Sequence, residues 1–278
     1  MPAPQASQMQ QLARAKFMSF NLKVPANWQS PPDQDQYDRA FQASEKNTAP
    51  GSPPLFQPAT MNKYHTDSQK MHIAKIGAFI DGTCSAICSA WSQWQMAATM
   101  TGIVVAGPVA SVGQIVGPPL QPLILASAPK ASPMELKYSN VIATVISTGW
   151  LSFTATVKIP GLPLWPMFAA FPGPMVPPPG IPNPAPVPFA ALTQVPVSIS
   201  ANVLKGQMVG QLGDPQAPFH AQLFEAIATA FEQCYNTWKV STMVTKVMGM
   251  GAIPTFAPPV APAGPVVGTA TMMPTGFT

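Results

Sequence analysis

Apolar residues recur at helical spacing ahead of three tryptophans. Stepping back four, seven and eleven positions from Trp91 meets Ile87, Cys84 and Ile80. The same steps from Trp150 meet Ile146, Ala143 and Ser139, and from Trp238 they meet Cys234, Phe231 and Ile227. At 3.6 residues per turn these offsets fall in one stripe, so each tryptophan closes the apolar face of an amphipathic helix. Beyond each tryptophan comes a Thr-rich or β-branched run: Met100 to Val105, Thr154 to Ile159, Met243 to Val247. Glycine or proline then stops it, at Gly107-Pro108, Pro160-Gly161 and Gly249 to Pro254. The unit is helix, tryptophan, short extended segment, turn, and it occurs three times in the pattern of an internal repeat.

The boundaries follow from capping and breaker chemistry. Thr66-Asp67-Ser68 is an N-cap cluster that opens the first main helix, which runs to about Met100. Ser132-Pro133-Met134-Glu135 combines an N-cap serine, a first-turn proline and a glutamate three residues on, and opens the second helix, which runs to about Leu151. The alternation of Phe153, Ala155, Val157 and Ile159 then predicts a half-buried strand. Asp214-Pro215 opens the third helix, with Pro218 near its first turn, running to about Met243. Gln8 to Phe20 and Leu204 to Leu212 are short helix candidates, Asp35 to Ala43 is a helical turn, and Val195, Val197 and Ile199 alternate as a short extended stretch. Pro160 to Pro188 holds twelve prolines among Leu162, Trp165, Phe168 and Phe171. Proline fixes φ and lacks an N–H, so this predicts a rigid strap across an apolar surface rather than a helix or an interior strand.

The expected fold class is therefore mainly α with short β segments, an α+β arrangement. An extended polar arm spans residues 1–70. A helical core spans 71–278, with the Pro-rich strap at 160–188 and a Gly/Pro-rich tail at 249–278 that packs on a partner.

Composition changes this picture in one respect. Hydrophobic residues make up an ordinary 47% of the 278, but charged residues only 9%, against about 25% in ordinary domains. Gly82 to Pro129, Ile159 to Leu204 and Val247 to Thr278 contain no Asp, Glu, Lys or Arg. A surface so poor in charge calls for cover by other subunits or by lipid. Tyr138 to Val157 is long enough to span a bilayer but is diluted by serine, threonine and asparagine, and Ile103 to Leu125 is broken by prolines. The net charge of +4 is small and dispersed, which argues against nucleic acid. The first residues, MPAPQASQMQQLARAKF, lack the apolar core of a secretion signal.

Residues for chemistry are few. The histidines are His65, His72 and His220; Asp81, Glu225 and Cys84 are the nearest candidates to join them, in no metal-ligand spacing. Cys84, Cys88 and Cys234 sit in helical stretches and read as small buried apolar residues. No nucleophile elbow, zinc-protease helix or phosphate loop is present. The expectation is no enzyme, no metal and no cofactor. Trp28, Tyr37, Phe41 and Phe56 in the arm, with Trp165, Phe168 and Phe171 in the strap, are candidate interface anchors, because aromatic side chains carry much of an interface's energy.

AWSQWQ at Ala90 to Gln95, VKIPGLPLWPMFAAFPGP at Val157 to Pro174 and the Gly/Pro-rich close resemble structural proteins of tailed phages and contractile injection particles, over about residues 71–278. The resemblance implies a structural subunit of a virion or phage tail-like particle assembled in the bacterial cytoplasm. Its partners would be copies of itself and other structural subunits. A membrane-associated or membrane-inserting protein is the alternative.

Overall fold

A computed structural model describes residues 3–22, 67–214, 217–257 and 264–278. It is mixed helix and sheet, the α+β class expected. The helices are α1 (Ala6–Met18), α2 (Asp67–Ala97), α3 (Leu120–Ser127), α4 (Pro133–Thr156), α5 (Ala201–Leu212) and α6 (His220–Ser241). The strands are β1 (Thr99–Ala106), β2 (Val109–Val116), β3 (Ile159–Pro163), β4 (Met175–Pro182), β5 (Val187–Pro188), β6 (Met243–Val244), β7 (Val247–Ala252) and β8 (Val267–Met272). Six strands form one antiparallel sheet in the order β3-β2-β1-β8-β7-β4, and β5 pairs with β6 apart from it.

The three tryptophan-bearing helices are α2, α4 and α6. Each passes into an extended segment soon after its tryptophan: β1 after α2, β3 after α4, β6 and β7 after α6. Their ends meet. Ring centroids lie 4.8 Å apart for Trp91 and Trp150, 5.5 Å for Trp91 and Trp238, and 4.9 Å for Trp94 and Trp150. Phe231 packs 5.2 Å from Trp91, and Phe189 4.8 Å from Trp238. Burying one large side chain is worth about 1.5–3 kcal/mol, and a favourable aromatic pair adds about 0.5–1.5 kcal/mol.

One polar side chain ties this aromatic box to the C-terminus. Buried Gln95 accepts a hydrogen bond from Trp238 Nε1 at 2.9 Å and donates to the carbonyl of Phe277 at 3.1 Å. Phe277 in turn stacks on Trp94, with ring planes 13° apart. Trp91 Nε1 and Trp150 Nε1 are buried with no hydrogen-bond partner among the described residues.

Several elements differ from the sequence reading. The expected strand from Phe153 is the last turn of α4. Thr154 Oγ1 and Thr156 Oγ1 donate back to the carbonyls of Leu151 and Phe153, and Phe153 is buried beside Trp150, so helical bonding outweighs β-branched propensity until Ile159. The alternating run at Val195 is a 3₁₀ turn, Pro196–Ile199, started by its proline. The third helix begins at His220 rather than near Asp214, since Pro218 and the left-handed Phe219 (φ 59°) hold the chain out of the helix until then. The second helix starts where expected, and its capping box between Ser132 and Glu135 is complete.

Two larger differences concern the ends. α1 belongs to the helical layer rather than to a polar arm: it packs on α2 and α6 with Met9, Ala13 and Phe17 buried. The described part of the Gly/Pro-rich tail is built into the chain's own fold. It supplies β7 and β8, which sit inside the chain's own sheet. Glycine makes that possible, because a Cβ at Gly249 would lie 2.7 Å from the Trp165 ring and 2.8 Å from that of Phe168. A run of Gly and Pro suggests loop, but here it allows the sheet to press against two stacked aromatic rings.

Gln95→Ala leaves the Trp238 N–H and the Phe277 carbonyl buried without that partner. Each such group costs about 1–3 kcal/mol, so we expect a loss of about 2–4 kcal/mol in urea denaturation. A loss below about 0.5 kcal/mol would show that the bridge is incidental.

Candidate functional site

Among the described residues the ionisable groups lie outside the strands of the six-stranded sheet, with Lys158 and Lys246 just before β3 and β7. No residue of the six-stranded sheet is charged, since all its strands come from the three charge-free stretches. The charges that the structure describes lie on helices, at their ends and in turns.

Two ion pairs pin α1. The Arg14 guanidinium forks onto Asp81 of α2, with Nε 2.7 Å from Oδ1 and Nη2 2.6 Å from Oδ2. That bond raises the Arg14 pKa further above its ordinary value. Lys16 reaches Glu225 of α6 at 2.9 Å, and Lys205 of α5 reaches the other oxygen of the same carboxylate. Hydrogen bonds from Lys205 and then Lys16 hold the Glu225 carboxyl below the usual carboxylate range. Asp81 and Glu225, the carboxylates considered as metal ligands, are therefore engaged by cations.

The remaining candidates are dispersed. Cys84, Cys88 and Cys234 are free and buried. Burial, helped by the neighbouring thiols, pushes Cys84 far up and Cys88 up to about 12, and burial alone takes Cys234 to about 11. They are protonated thiols at neutral pH, not nucleophiles. His72 is exposed near the start of α2, and His220 opens α6 with Nδ1 2.6 Å from the carbonyl of Ala217. Among the described residues no group of three His, Cys, Asp or Glu is placed to hold a metal ion.

A cavity of about 260 Å³ lies where α1, α2, α4 and the start of α6 meet. Phe17, Ile76, Phe79, Tyr138, Phe219 and Leu223 line it, with Lys75, Glu135 and His220 also on its wall. Glu135 is occupied in its capping box, accepting from the N–H groups of Ala131 and Ser132. Burial, then the Asp214 carboxylate, raises the Tyr138 pKa. This wall is mainly apolar.

The strap anchors fall out differently from one another. Trp165 and Phe168 are wholly enclosed by their own chain, stacked 5.3 Å apart, with Trp165 Nε1 donating to the Ile181 carbonyl at 3.0 Å. They are core groups and present nothing to a neighbour. Phe171 is half-buried, its ring edge-on to Phe168, while its backbone pairs with Gly264. Trp28, Tyr37, Phe41 and Phe56 lie outside the described residues.

What the aromatic reading missed is the outer face of the sheet. Met100, Ile103, Val105, Ala110, Ile115, Ala270 and Met272 point inward and are buried. On the opposite side Val104, Val116 and Val267 are 45%, 50% and 52% exposed. The register aligns them with further neutral side chains: Met250, Thr269, Val104 and Ser111 form one row, and Ala252, Val267, Ala106 and Val109 the next. The absence of charge in three stretches was the signal for this face. What the sequence did not show is that those stretches converge on one sheet.

Comparison with protein families, curated proteins and solved structures found no match.

Because the Glu225 pKa is lowered in the folded chain, its contribution is full above the unfolded value of about 4.3 and is lost as pH falls through the folded value. Thermal melts from pH 7 to pH 3 should show wild type losing stability below about pH 4.5 more steeply than Glu225→Gln. Parallel pH curves for the two would remove Glu225 from the clamp.

Proposed function

We propose that the chain is a structural subunit of a large protein assembly, of the virion or phage tail-like kind, and that it works by packing against copies of itself and other subunits rather than by catalysis. One observation carries this reading: an open, uncharged sheet face with exposed valines, in a protein whose ionisable groups are placed elsewhere. A soluble protein seldom leaves such a face to water. The chemistry available at neutral pH is poor, with protonated buried thiols and carboxylates clamped by lysine and arginine. The particle type rests on the resemblance of the AWSQWQ, strap and tail motifs to structural proteins of phages and injection particles, and the bacterial cytoplasm is then the place of assembly.

A membrane-inserting role is the second reading, and one observation favours it. An 18-residue window within His72–Ala97 of α2 has a mean hydropathy of 1.2, which by length and composition is enough to cross a bilayer. Yet 56% of that window is buried against the rest of the chain, and Asp81 within it is bonded to Arg14, as befits a core helix.

Sedimentation in detergent-free buffer separates the two. We expect species many times the 29.3 kDa chain mass, which do not float with added vesicles. A monodisperse monomer at high concentration would end the assembly reading, and flotation with vesicles would transfer support to the membrane.

A further inference from the structure

We infer that the outer face of the six-stranded sheet is a self-docking surface, packing face to face on the same sheet of a second copy. The inference rests on the assembly reading above and names the contact. Its first ground is the sheet's edges. The edge strands are β3 and β4. β3 carries Pro160 and Pro163, and β4 carries Pro177, Pro178, Pro179 and Pro182. Proline has no N–H to offer an added strand, so both edges resist continuation of the sheet into a neighbour. A partner therefore has the face to bind.

The second ground is charge. A face without an ionisable group is matched at least cost by another such face, since no ion has to be stripped of water on either side. A second copy supplies one by symmetry, and twofold pairing sets the same patch against itself. The chain's net charge of +4 resists self-association generally. Facing the sheets inward puts the charge-bearing helices on the outside of the pair, where that repulsion is weakest.

The third ground is size. Six strands spaced about 4.8 Å apart and running about 20 Å give a face of roughly 500–600 Å². Two such faces together bury about 1,000–1,200 Å², the lower bound for a specific contact. Such a contact is one joint among several in a particle, stable when repeated. Its chemistry suits sheet-on-sheet packing: Val104, Val267 and Met250 supply apolar area, and Thr269 and Thr101 keep the face soluble before assembly.

Thr269 tests this directly. It is exposed near the middle of the face, in register with Val104 on one side and Met250 on the other. Thr269→Glu and Thr269→Lys each place like charges against one another in a self-paired face. Sedimentation velocity at low salt should show each variant alone associating at least tenfold more weakly than wild type, and an equimolar mixture recovering most of the loss. Val104→Glu and Val104→Lys repeat the test from the neighbouring strand, with unchanged melting midpoints confirming that the fold survives. Two results overturn the inference: a single-charge variant that associates like wild type, or a mixture that stays as dissociated as its parents. The latter assigns the face to a different occupant. If wild type itself sediments as a monomer, the assembly reading fails first. If wild type assembles and Thr269→Glu assembles equally well, only the face-to-face contact is lost.

Discussion

Every layer of this protein depends on the meeting of Trp91, Trp150 and Trp238. Three helices that are distant in sequence bring one indole each to a single point, and Trp94, Phe231, Phe189 and Phe277 fill the gaps. Apolar contact is non-directional, so such a cluster alone would tolerate many arrangements. Gln95 selects among them, because its amide must meet both the Trp238 N–H and the Phe277 carbonyl. The last residues of the chain are thereby fixed against the end of α2. Each helix is released into an extended segment close to the same place, so the box sets where the sheet begins.

From that geometry the separation of charge follows. Many of the described ionisable groups are on the helices, which are stitched together through Arg14 to Asp81 and through two lysines to Glu225. The strands are drawn from sequence without charge. The inner side of the sheet is consumed by the core, including the Trp165 and Phe168 pair set against Gly249. The outer side is left neutral and open, between edges that proline has closed to further strands. The ion pairs that hold the helices together and the open face of the sheet thus lie in different parts of the chain.

Helix existence and the tryptophan stripe were legible in the sequence because helical periodicity is local and sustained over many residues. The capping box at Ser132 was legible because its chemistry fits within four residues. The sheet was not, for three physical reasons. β7 and β8 are rich in glycine, which carries no side chain from which to read alternation; Gly249 is there because aromatic rings press against it. The end of α4 has β-branched residues whose hydroxyls bond back to the helix. Pairing is also non-local: β1 bonds to β8 across most of the chain, and no short window contains both. The candidate contact surface was half legible. Missing charge pointed to covered surface, but aromatic anchors seemed the natural agents, and Trp165 and Phe168 are instead spent on the core. The exposed valines that remain are ordinary strand residues, distinguished only by where they converge.

The central claim is that the neutral side of the sheet is the working surface. Methionine oxidation measured in dilute and in assembled protein tests it most directly, because the register puts exposed Met175 and half-buried Met250 on that side while Met134 is exposed on a helix. The account predicts that Met175 and Met250 become protected on assembly to a much greater degree than Met134. Equal oxidation of Met175 and Met250 in the two states would contradict it.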